Sequence, residues 1–197
     1  MNSATIPTVG FVDKFIDLAS PRLGTEVISA TDDFFADKSR LINPAPPVFI
    51  ADKYDENGKW MDGWESRRKR GEGHDHCIIR LGLLGIIHGV NIDTSHFTGN
   101  FPPSASIDAC LIEGDPDEKT DWTEILPAVA LKGDSHHLHA IGDNRNWSHL
   151  RLNIYPDGGI ARLRVYGEVQ CNWEKRDPDE LVDLAALVNG GRGFAAS

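Results

Sequence analysis

The sequence has no apolar run long enough for a membrane-spanning helix, which argues against an integral membrane protein. Its longest clean apolar stretch, residues 81–90, is interrupted by glycines and by His88. This stretch is far shorter than the roughly 20 residues that a membrane-spanning helix needs. Residues 1–10 also lack the basic flank and the apolar core of a secretion signal. We therefore expect a soluble cytoplasmic protein with no membrane partner.

Cysteine and positive charge are also scarce. Cys77, Cys110 and Cys171 are widely spaced and odd in number, which argues against a disulfide framework. There are 20 Lys and Arg against 30 Asp and Glu, so the formal net charge is −10 at pH 7. An acidic chain suits neither the phosphate backbone of a nucleic acid nor an anionic membrane face. The short basic run at residues 67–70 (RRKR) is weak evidence on its own, so we expect no nucleic-acid partner.

Period-two alternation is the main structural pattern in the chain. In residues 160–169, Leu163 and Val165 share one face while Arg162 and Arg164 share the other, as in a half-buried strand. Further strands are predicted over residues 77–81, 86–93, 104–112, 128–132 and 136–141, and a hairpin over residues 150–169 that turns at Asp157 and Gly158. Many short strands without long helical periods predict an all-β jelly-roll β-sandwich of about eight strands over residues 10–172.

One segment near the end of the sequence has a helical period. In residues 178–188, Leu181, Leu184 and Val188 fall on one face of a helix. An apolar stripe left in water is a routine association site. We therefore expect this face to pack on the domain or on a neighbouring subunit, and we expect a homo-oligomer.

The same region takes part in an internal repeat. Residues 16–24 (IDLASPRLG) and residues 182–190 (VDLAALVNG) align at an offset of 166, which is the difference between Asp183 and Asp17. Either two short apolar segments are similar by chance, or a second copy of the domain begins near residue 180.

Two long segments resemble the signature of allantoicase, the allantoate amidinohydrolase of purine degradation. They are residues 60–82 (WMDGWESRRKRGEGHDHCIIRLG) and residues 89–107 (GVNIDTSHFTGNFPPSASI), and the resemblance continues through residues 135–137 and 147–159. It implies two tandem jelly-roll repeats of the galactose-binding-like (discoidin-type) fold. Residues 10–175 are then the first repeat, and residues 176–197 are a linker and the truncated start of the second.

The resemblance also implies a reaction, the hydrolysis of allantoate to ureidoglycolate and urea during allantoin catabolism. Loss of urea from a carbon that carries two ureido groups and a carboxylate needs a general acid at the departing nitrogen. A general base or a metal-bound hydroxide would deliver the water. The alternatives are a truncated, non-catalytic galactose-binding-like module that only binds a ligand, and an oligomerisation or scaffold piece.

Ionisable residues in the two resembling segments are the candidate site. A carboxylate can orient an imidazole that moves protons, and an arginine fork matches the two oxygens of a carboxylate. The predicted catalytic residues are Asp93, His96 and Glu65, and the predicted substrate-binding residues are Asp62, Arg67, Arg68 and Asn100. We expect Asp93 and His96 to share a concavity with at least one of Asp62, Glu65, Arg67 or His74. The competing interpretation of the loop at residues 93–100 is a turn in which Asp93 and Thr94 only cap main-chain amides. The competing interpretation of residues 62–65 and 67–68 is a solvated charged loop.

Histidines supply the candidate metal ligands. His74 and His76 flank a carboxylate, and His137 lies in the run at residues 136–139 (HHLH). Imidazole is a common ligand of divalent metals. A divalent metal is therefore the candidate cofactor, with His74, His76 and His137 as candidate ligands, although residues two apart share a face only on a regular strand.

Overall fold

The computed structural model of the chain describes residues 10–171, 173–175, 177, 179–191 and 193. Among these residues the regular structure is β-strand with short 3-10 turns, which confirms the all-β prediction. The strands are β1 (Ile16–Asp17), β2 (Glu26–Ala30), β3 (Tyr54–Asp55), β4 (Gly58–Lys59), β5 (Trp64–Glu65), β6 (Asp75–Asp93), β7 (Ser104–Cys110), β8 (Thr123–Ala130), β9 (His136–Ala140), β10 (Asn146–Tyr155), β11 (Gly159–Ile160) and β12 (Arg162–Val169). The 3-10 helices are Pro21–Leu23, Lys38–Ile42, Trp173–Lys175 and Leu187–Asn189.

Eight of these strands form an antiparallel sandwich whose two layers share β6. The first half of β6 pairs with β2 and β10, which gives one layer in the order β2-β6-β10-β7-β8. Its second half pairs with β12 and β9, which gives the other layer in the order β1-β12-β6-β9. This arrangement confirms the jelly-roll sandwich, and it places the residues 77–81 and 86–93 on one continuous strand.

The alternating apolar residues of both layers form a single core. Along β6, Cys77 and Ile79 are fully buried while the residues that alternate with them, His76 and Ile78, are partly exposed. Leu150, Leu152 and Ile154 of β10 point into the same core as Leu163 and Val165 of β12. Burial of each such side chain stabilises the fold by roughly 1.5–3 kcal/mol.

Both ends of β6 lie at the same end of the sandwich. The Asp75 N–H donates to the Pro156 carbonyl, and the Ala161 N–H donates to the Asp93 carbonyl. The six residues 156–161 therefore cross from one layer to the other at this end. We call it the loop end, and it comprises residues 31–74, 94–103, 131–135 and 156–161.

The predicted hairpin over residues 150–169 is wrong. β10 pairs with β6 and β7, whereas β12 pairs with β1 and the other half of β6. Both strands turn an apolar face to the core from opposite layers, so they pack face to face and do not share a hydrogen-bonded edge. Alternation reveals which face of a strand is buried, but not which strand lies beside it.

The predicted helix over residues 178–188 is wrong wherever its residues are described. Residues 179–191 form turns and the 3-10 helix Leu187–Asn189. The Asp183 carboxylate accepts a hydrogen bond from the Ala185 N–H at 2.9 Å, a local contact that competes with a helix. Leu181 is 99% exposed and Leu184 is 71% exposed, so neither packs on this domain. No helix in the described part of the chain is long and apolar enough to cross a bilayer.

Candidate active site

A pocket of about 550 Å³ opens at the loop end, within the range of roughly 300–1,000 Å³ that is usual for small-ligand sites. Its polar lining comes from three separate loops and comprises Glu65, Ser66, Arg68, Asn100 and Asp157. Phe35, Phe101 and Leu131 supply apolar wall. The pocket therefore brings together three predicted site residues, Glu65, Arg68 and Asn100.

Glu65 is oriented by the short strand β5, which pairs with β11 so that Glu65 lies opposite Gly159. The neighbouring Trp64 is fully buried in the core, and alternation along β5 sends the Glu65 side chain the other way, into the pocket. Burial raises the pKa of Glu65, and a hydrogen bond from Asn100 partly opposes that rise. A carboxyl with a raised pKa stays protonated to higher pH and can donate that proton.

Asn100 is fixed on both sides. Its side-chain Nδ2 donates to Glu65 Oε1 at 2.7 Å, and its main-chain carbonyl accepts from the Gly159 N–H at 2.7 Å. Gly158 has φ +139°, and a Cβ there would lie 2.8 Å from the Asn100 carbonyl oxygen. Residue 158 must therefore be glycine for the crossing segment to lie this close to the loop that carries Asn100. A Cβ on Gly159 would likewise come within 2.0 Å of the Phe97 ring in the same loop.

In the basic run at residues 67–70, two side chains form ion pairs within the protein and one lines the pocket. Arg67 is bound to Asp32, with Nη2 2.6 Å and Nε 2.7 Å from Oδ2. Lys69 Nζ lies 2.8 Å from Asp75 Oδ1. Arg68, between them, lines the pocket and has no side-chain hydrogen bond or ion pair with any residue that the structure describes. Of the two predicted arginines, Arg68 is therefore the one placed to meet an anionic ligand.

Asp62 has a structural task that the sequence did not reveal. Its Oδ2 accepts from Arg162 Nη2 at 2.8 Å and from the Val48 N–H at 2.9 Å. The Arg162 side chain is 1% exposed, and it also donates to three carbonyl groups, those of Ala45, Asp62 and Ala161. Asp62 does not line the pocket. It neutralises the buried Arg162 guanidinium and, through the Val48 N–H, holds the segment at residues 45–48.

Asp93 and His96 do not line this pocket either. Asp93 is buried, and its Oδ1 accepts from the N–H and the hydroxyl of Ser95 at 2.8 and 2.6 Å. His96 has φ 69°, and its Nε2 lies 3.3 Å from the Pro47 carbonyl oxygen. The Asp93 carboxylate therefore caps the turn at Ser95, and neither Asp93 nor His96 lines the pocket that Glu65 and Arg68 share.

The three candidate metal ligands, His74, His76 and His137, do not converge on one site, and His74 and His137 contact different neighbours. His137 accepts from the Lys132 N–H at its Nε2 and has its Nδ1 2.9 Å from the Ile92 carbonyl oxygen, so neither nitrogen has a lone pair for a metal. His74 Nε2 lies 3.2 Å from Asn153 Oδ1. Burial, with the neighbouring Arg151 and His74, lowers the pKa of His76. Among the described residues no group of three or more His, Cys, Asp or Glu could hold a metal ion, so the three candidate histidines do not form a ligand set for a divalent metal.

Two residues at this end were missed by the sequence reasoning. Asp157 lines the pocket, and its Oδ2 accepts from the Lys69 N–H at 2.8 Å. Its position in a Pro-Asp-Gly-Gly run predicts a turn and nothing more. The alternation of residues 160–169 predicts that Arg162 lies on the solvent face of its strand, whereas the Arg162 side chain is 1% exposed. Two of the residues that accept its hydrogen bonds, Ala45 and Asp62, are 117 and 100 positions away in sequence and leave no local signal.

The fold and the pocket together define a galactose-binding-like sandwich that carries an acid, an amide and a cation at its loop end. The family model described as "Allantoicase repeat" matches residues 16–170. A probable allantoicase of Photobacterium profundum is 61% identical over 186 residues, which is 94% of this chain and 56% of that protein. A probable allantoicase of Pseudomonas fluorescens (strain Pf-5) is 62% identical over the same shares. This chain belongs to the allantoicase family.

Solved structures agree with the family and the fold. A structure of allantoicase aligns with a TM-score of 0.78 and 32% identity over 91% of this chain and 56% of that one. Allantoicase from Saccharomyces cerevisiae aligns with a TM-score of 0.74 and 36% identity over 90% and 53%. A CBM32 module from Clostridium perfringens, at 16% identity and a TM-score of 0.55, shares the fold alone. The chain spans about half the length of the curated relatives that it matches.

Proposed function

We propose that the chain acts in the hydrolysis of allantoate to ureidoglycolate and urea during allantoin catabolism, and that the loop-end pocket binds the substrate. The observation that carries this proposal is the set of three groups in one pocket: the carboxyl of Glu65 with its raised pKa, the amide of Asn100 that is hydrogen-bonded to it, and the guanidinium of Arg68, which has no partner among the residues that the structure describes. The names of the relatives supply the reaction, although the match spans only 56% of their length.

Each group has a task in this reaction. The Arg68 guanidinium binds the carboxylate of allantoate, since its planar fork matches two oxygens. Protonated Glu65 gives its proton to the ureido nitrogen that departs as urea, while the C–N bond breaks and a water oxygen bonds to the carbon. Asp157, the second carboxylate in the pocket, takes the proton of that water. Once the proton passes from Asp157 back to Glu65 through solvent, water and allantoate have been converted to ureidoglycolate and urea with no further reactant.

The other predicted site residues have supporting tasks in this proposal. Asp93 and His96 hold the loop that carries Asn100, Arg67 holds residue 68 in place through Asp32, and Asp62 neutralises Arg162. Residues 10–175 form one allantoicase repeat, and residues 176–197 are a linker and the start of a second. A homo-oligomer in the cytoplasm remains part of the proposal, and sedimentation of the purified chain tests its association state.

Urea release from allantoate tests the reaction. The wild-type chain and Glu65→Gln are assayed with and without a metal chelator, and binding of allantoate is measured by calorimetry. Glu72→Gln is the matched control, because Glu72 is an exposed carboxylate of the same basic loop that does not line the pocket. Urea release by the wild type and by Glu72→Gln, but not by Glu65→Gln, supports the proposal. Binding without urea release by the wild type would favour a ligand-binding module, and neither binding nor release would refute both functions.

A further inference from the structure

Lys69 contacts the rest of the protein through both its main chain and its side chain. Its N–H donates to Oδ2 of Asp157 at 2.8 Å, and its Nζ lies 2.8 Å from Oδ1 of Asp75. Asp157 lines the pocket, and in the proposed reaction it takes the proton of the attacking water. Asp75 lies outside the pocket lining, at the first position of β6. Lys69 therefore connects a pocket carboxylate to the sandwich itself.

Asp75 is a fixed point in the interior. Its side chain is 2% exposed, its main-chain N–H donates to the Pro156 carbonyl at 3.0 Å, and its Oδ1 also accepts from the Thr31 hydroxyl at 2.9 Å. A buried carboxylate needs a cation beside it. Among the residues that the structure describes, Lys69 is the one cation that forms an ion pair with Asp75. This pairing holds the Lys69 ammonium in one place.

The loop that carries Lys69 meets the crossing segment at two points. The Ser66 N–H donates to the Gly158 carbonyl at 3.1 Å, and the Lys69 N–H donates to the Asp157 carboxylate. The first contact joins two main chains, whereas the second holds a side chain that the proposed reaction uses. Because a main-chain N–H can point at Asp157 only while its own loop stays in place, the ion pair that fixes residue 69 also fixes the Asp157 carboxylate.

The other oxygen of Asp157 stays available to a ligand. Oδ1 has no hydrogen bond or ion pair with any described residue, and a neutral N–H at Oδ2 orients the carboxylate without cancelling its charge. Oδ1 can therefore accept the proton of a water. On the other side of Arg68, the ion pair of Arg67 with Asp32 supports the same loop. Loss of the Lys69 contact should thus disturb Asp157 more than Arg68, which keeps one clamped neighbour.

We infer that Lys69 is a positioning residue for the hydrolysis: its ion pair with Asp75 holds its own N–H on Asp157, and this contact orients the carboxylate that takes the proton of the attacking water. Lys69 does not line the pocket, so it acts on the reaction only through Asp157. The inference rests on the proposed function, because Asp157 has this task only if the pocket hydrolyses allantoate.

The test compares ion-pair variants of the full chain. The double variant Lys69→Met, Asp75→Asn removes both charges together, so it leaves no unpaired charge in the interior and keeps the main-chain N–H of residue 69. Lys69→Arg keeps a cation for Asp75. The matched control is Arg145→Met, Asp143→Asn, which removes an ion pair that contains no pocket residue. Each protein is measured for kcat and KM in urea release from allantoate, and for hydrogen exchange of the residue 69 amide by NMR.

The double variant should lose turnover while it still binds allantoate. We expect slow exchange of the Lys69 amide in the wild type and exchange at least about tenfold faster in the double variant, since a hydrogen-bonded N–H exchanges when its contact opens. The kcat should fall by roughly tenfold to a hundredfold, the scale of a misplaced catalytic group. The KM should change by less than about threefold, because Arg68 keeps its support. Lys69→Arg and the control should keep the wild-type kcat and KM.

Three outcomes would overturn this inference and leave the proposed function intact. The Lys69 amide of the wild type could exchange as fast as that of an unstructured peptide, the double variant could keep the wild-type kcat, or Lys69→Arg could lose as much kcat as the double variant. Asp75→Asn alone replaces the double variant if that protein does not fold, because Lys69 is 27% exposed and its freed ammonium can be hydrated. A wild type that releases no urea would overturn the proposed function and this inference with it.

Discussion

Replacing Asp62 by alanine should destabilise the protein more than any surface carboxylate does. Asp62 Oδ2 lies 2.8 Å from Nη2 of Arg162, whose side chain is 1% exposed. The remaining acceptors of this guanidinium are neutral carbonyl oxygens. Alanine therefore leaves a full positive charge in the interior with no negative partner, and it also removes the acceptor of the Val48 N–H.

The magnitude follows from that unpaired charge. Breaking a buried ion pair by removing one member costs about 3–5 kcal/mol. For a chain of this length, each kcal/mol lowers the melting temperature by roughly 2–4 °C, so the expected fall is on the order of 10 °C. Asp62→Asn keeps an oxygen in place for Arg162 and should lose less, because only the charge is removed.

Thermal and urea unfolding of Asp62→Ala, Asp62→Asn and a control give the measurement. The control is Asp143→Ala, which breaks an ion pair with an exposed arginine, Arg145, and should leave the melting temperature nearly unchanged. A melting temperature for Asp62→Ala within about 2 °C of the wild type, well below the shift expected for a buried pair, would refute the reasoning. If the KM for allantoate rose at the same time, Asp62 would be a substrate-binding residue after all.

Three further predictions concern the pocket. Glu65→Gln should lower the rate of urea release by roughly 10²–10⁴-fold, the usual contribution of a general acid, and an unchanged rate would remove Glu65 from that role. Asn100→Ala removes the hydrogen bond that lowers the pKa of Glu65, so that pKa should rise further. Because the protonated acid is the active form, the alkaline limb of the pH–rate profile should then move to higher pH, and movement to lower pH would contradict this assignment. Arg68→Ala should raise the KM for allantoate at least about tenfold through the loss of a charged hydrogen bond, whereas Arg67→Ala should change it little; equal effects would contradict the division between the two arginines.

The sequence predicts the fold class well because burial leaves a local pattern. The alternation along β10 and β12 marks the core faces correctly, and the predicted strands at residues 104–112 and 136–141 correspond to β7 and β9. The pairing of strands leaves no such pattern. β6 is one strand of 19 residues that serves two layers, and the glycines at its change of layer suggested a break between two strands.

The site was predicted only in part, because the decisive contacts join residues that are distant in sequence. Arg67 and Arg68 are indistinguishable in the sequence, and only Asp32, which is 35 residues away from Arg67, shows that one of them is already paired. Asp62 is likewise occupied by a residue 100 positions later, Arg162. A motif reveals which ionisable residues a loop contains, but their partners decide which of them remain available to a ligand.

The connection over residues 156–161 links the failed prediction to the site. A hairpin turn would have kept these residues at the edge of one sheet, away from residue 65. Because β10 and β12 lie in opposite layers, the connection must cross the loop end, and there it pairs through β11 with β5 and so orients Glu65. The same crossing segment donates the Gly159 N–H that holds Asn100 beside that carboxyl. The pocket is therefore a consequence of the jelly-roll topology, since one segment that changes layers aligns the acid with the amide that tunes its pKa.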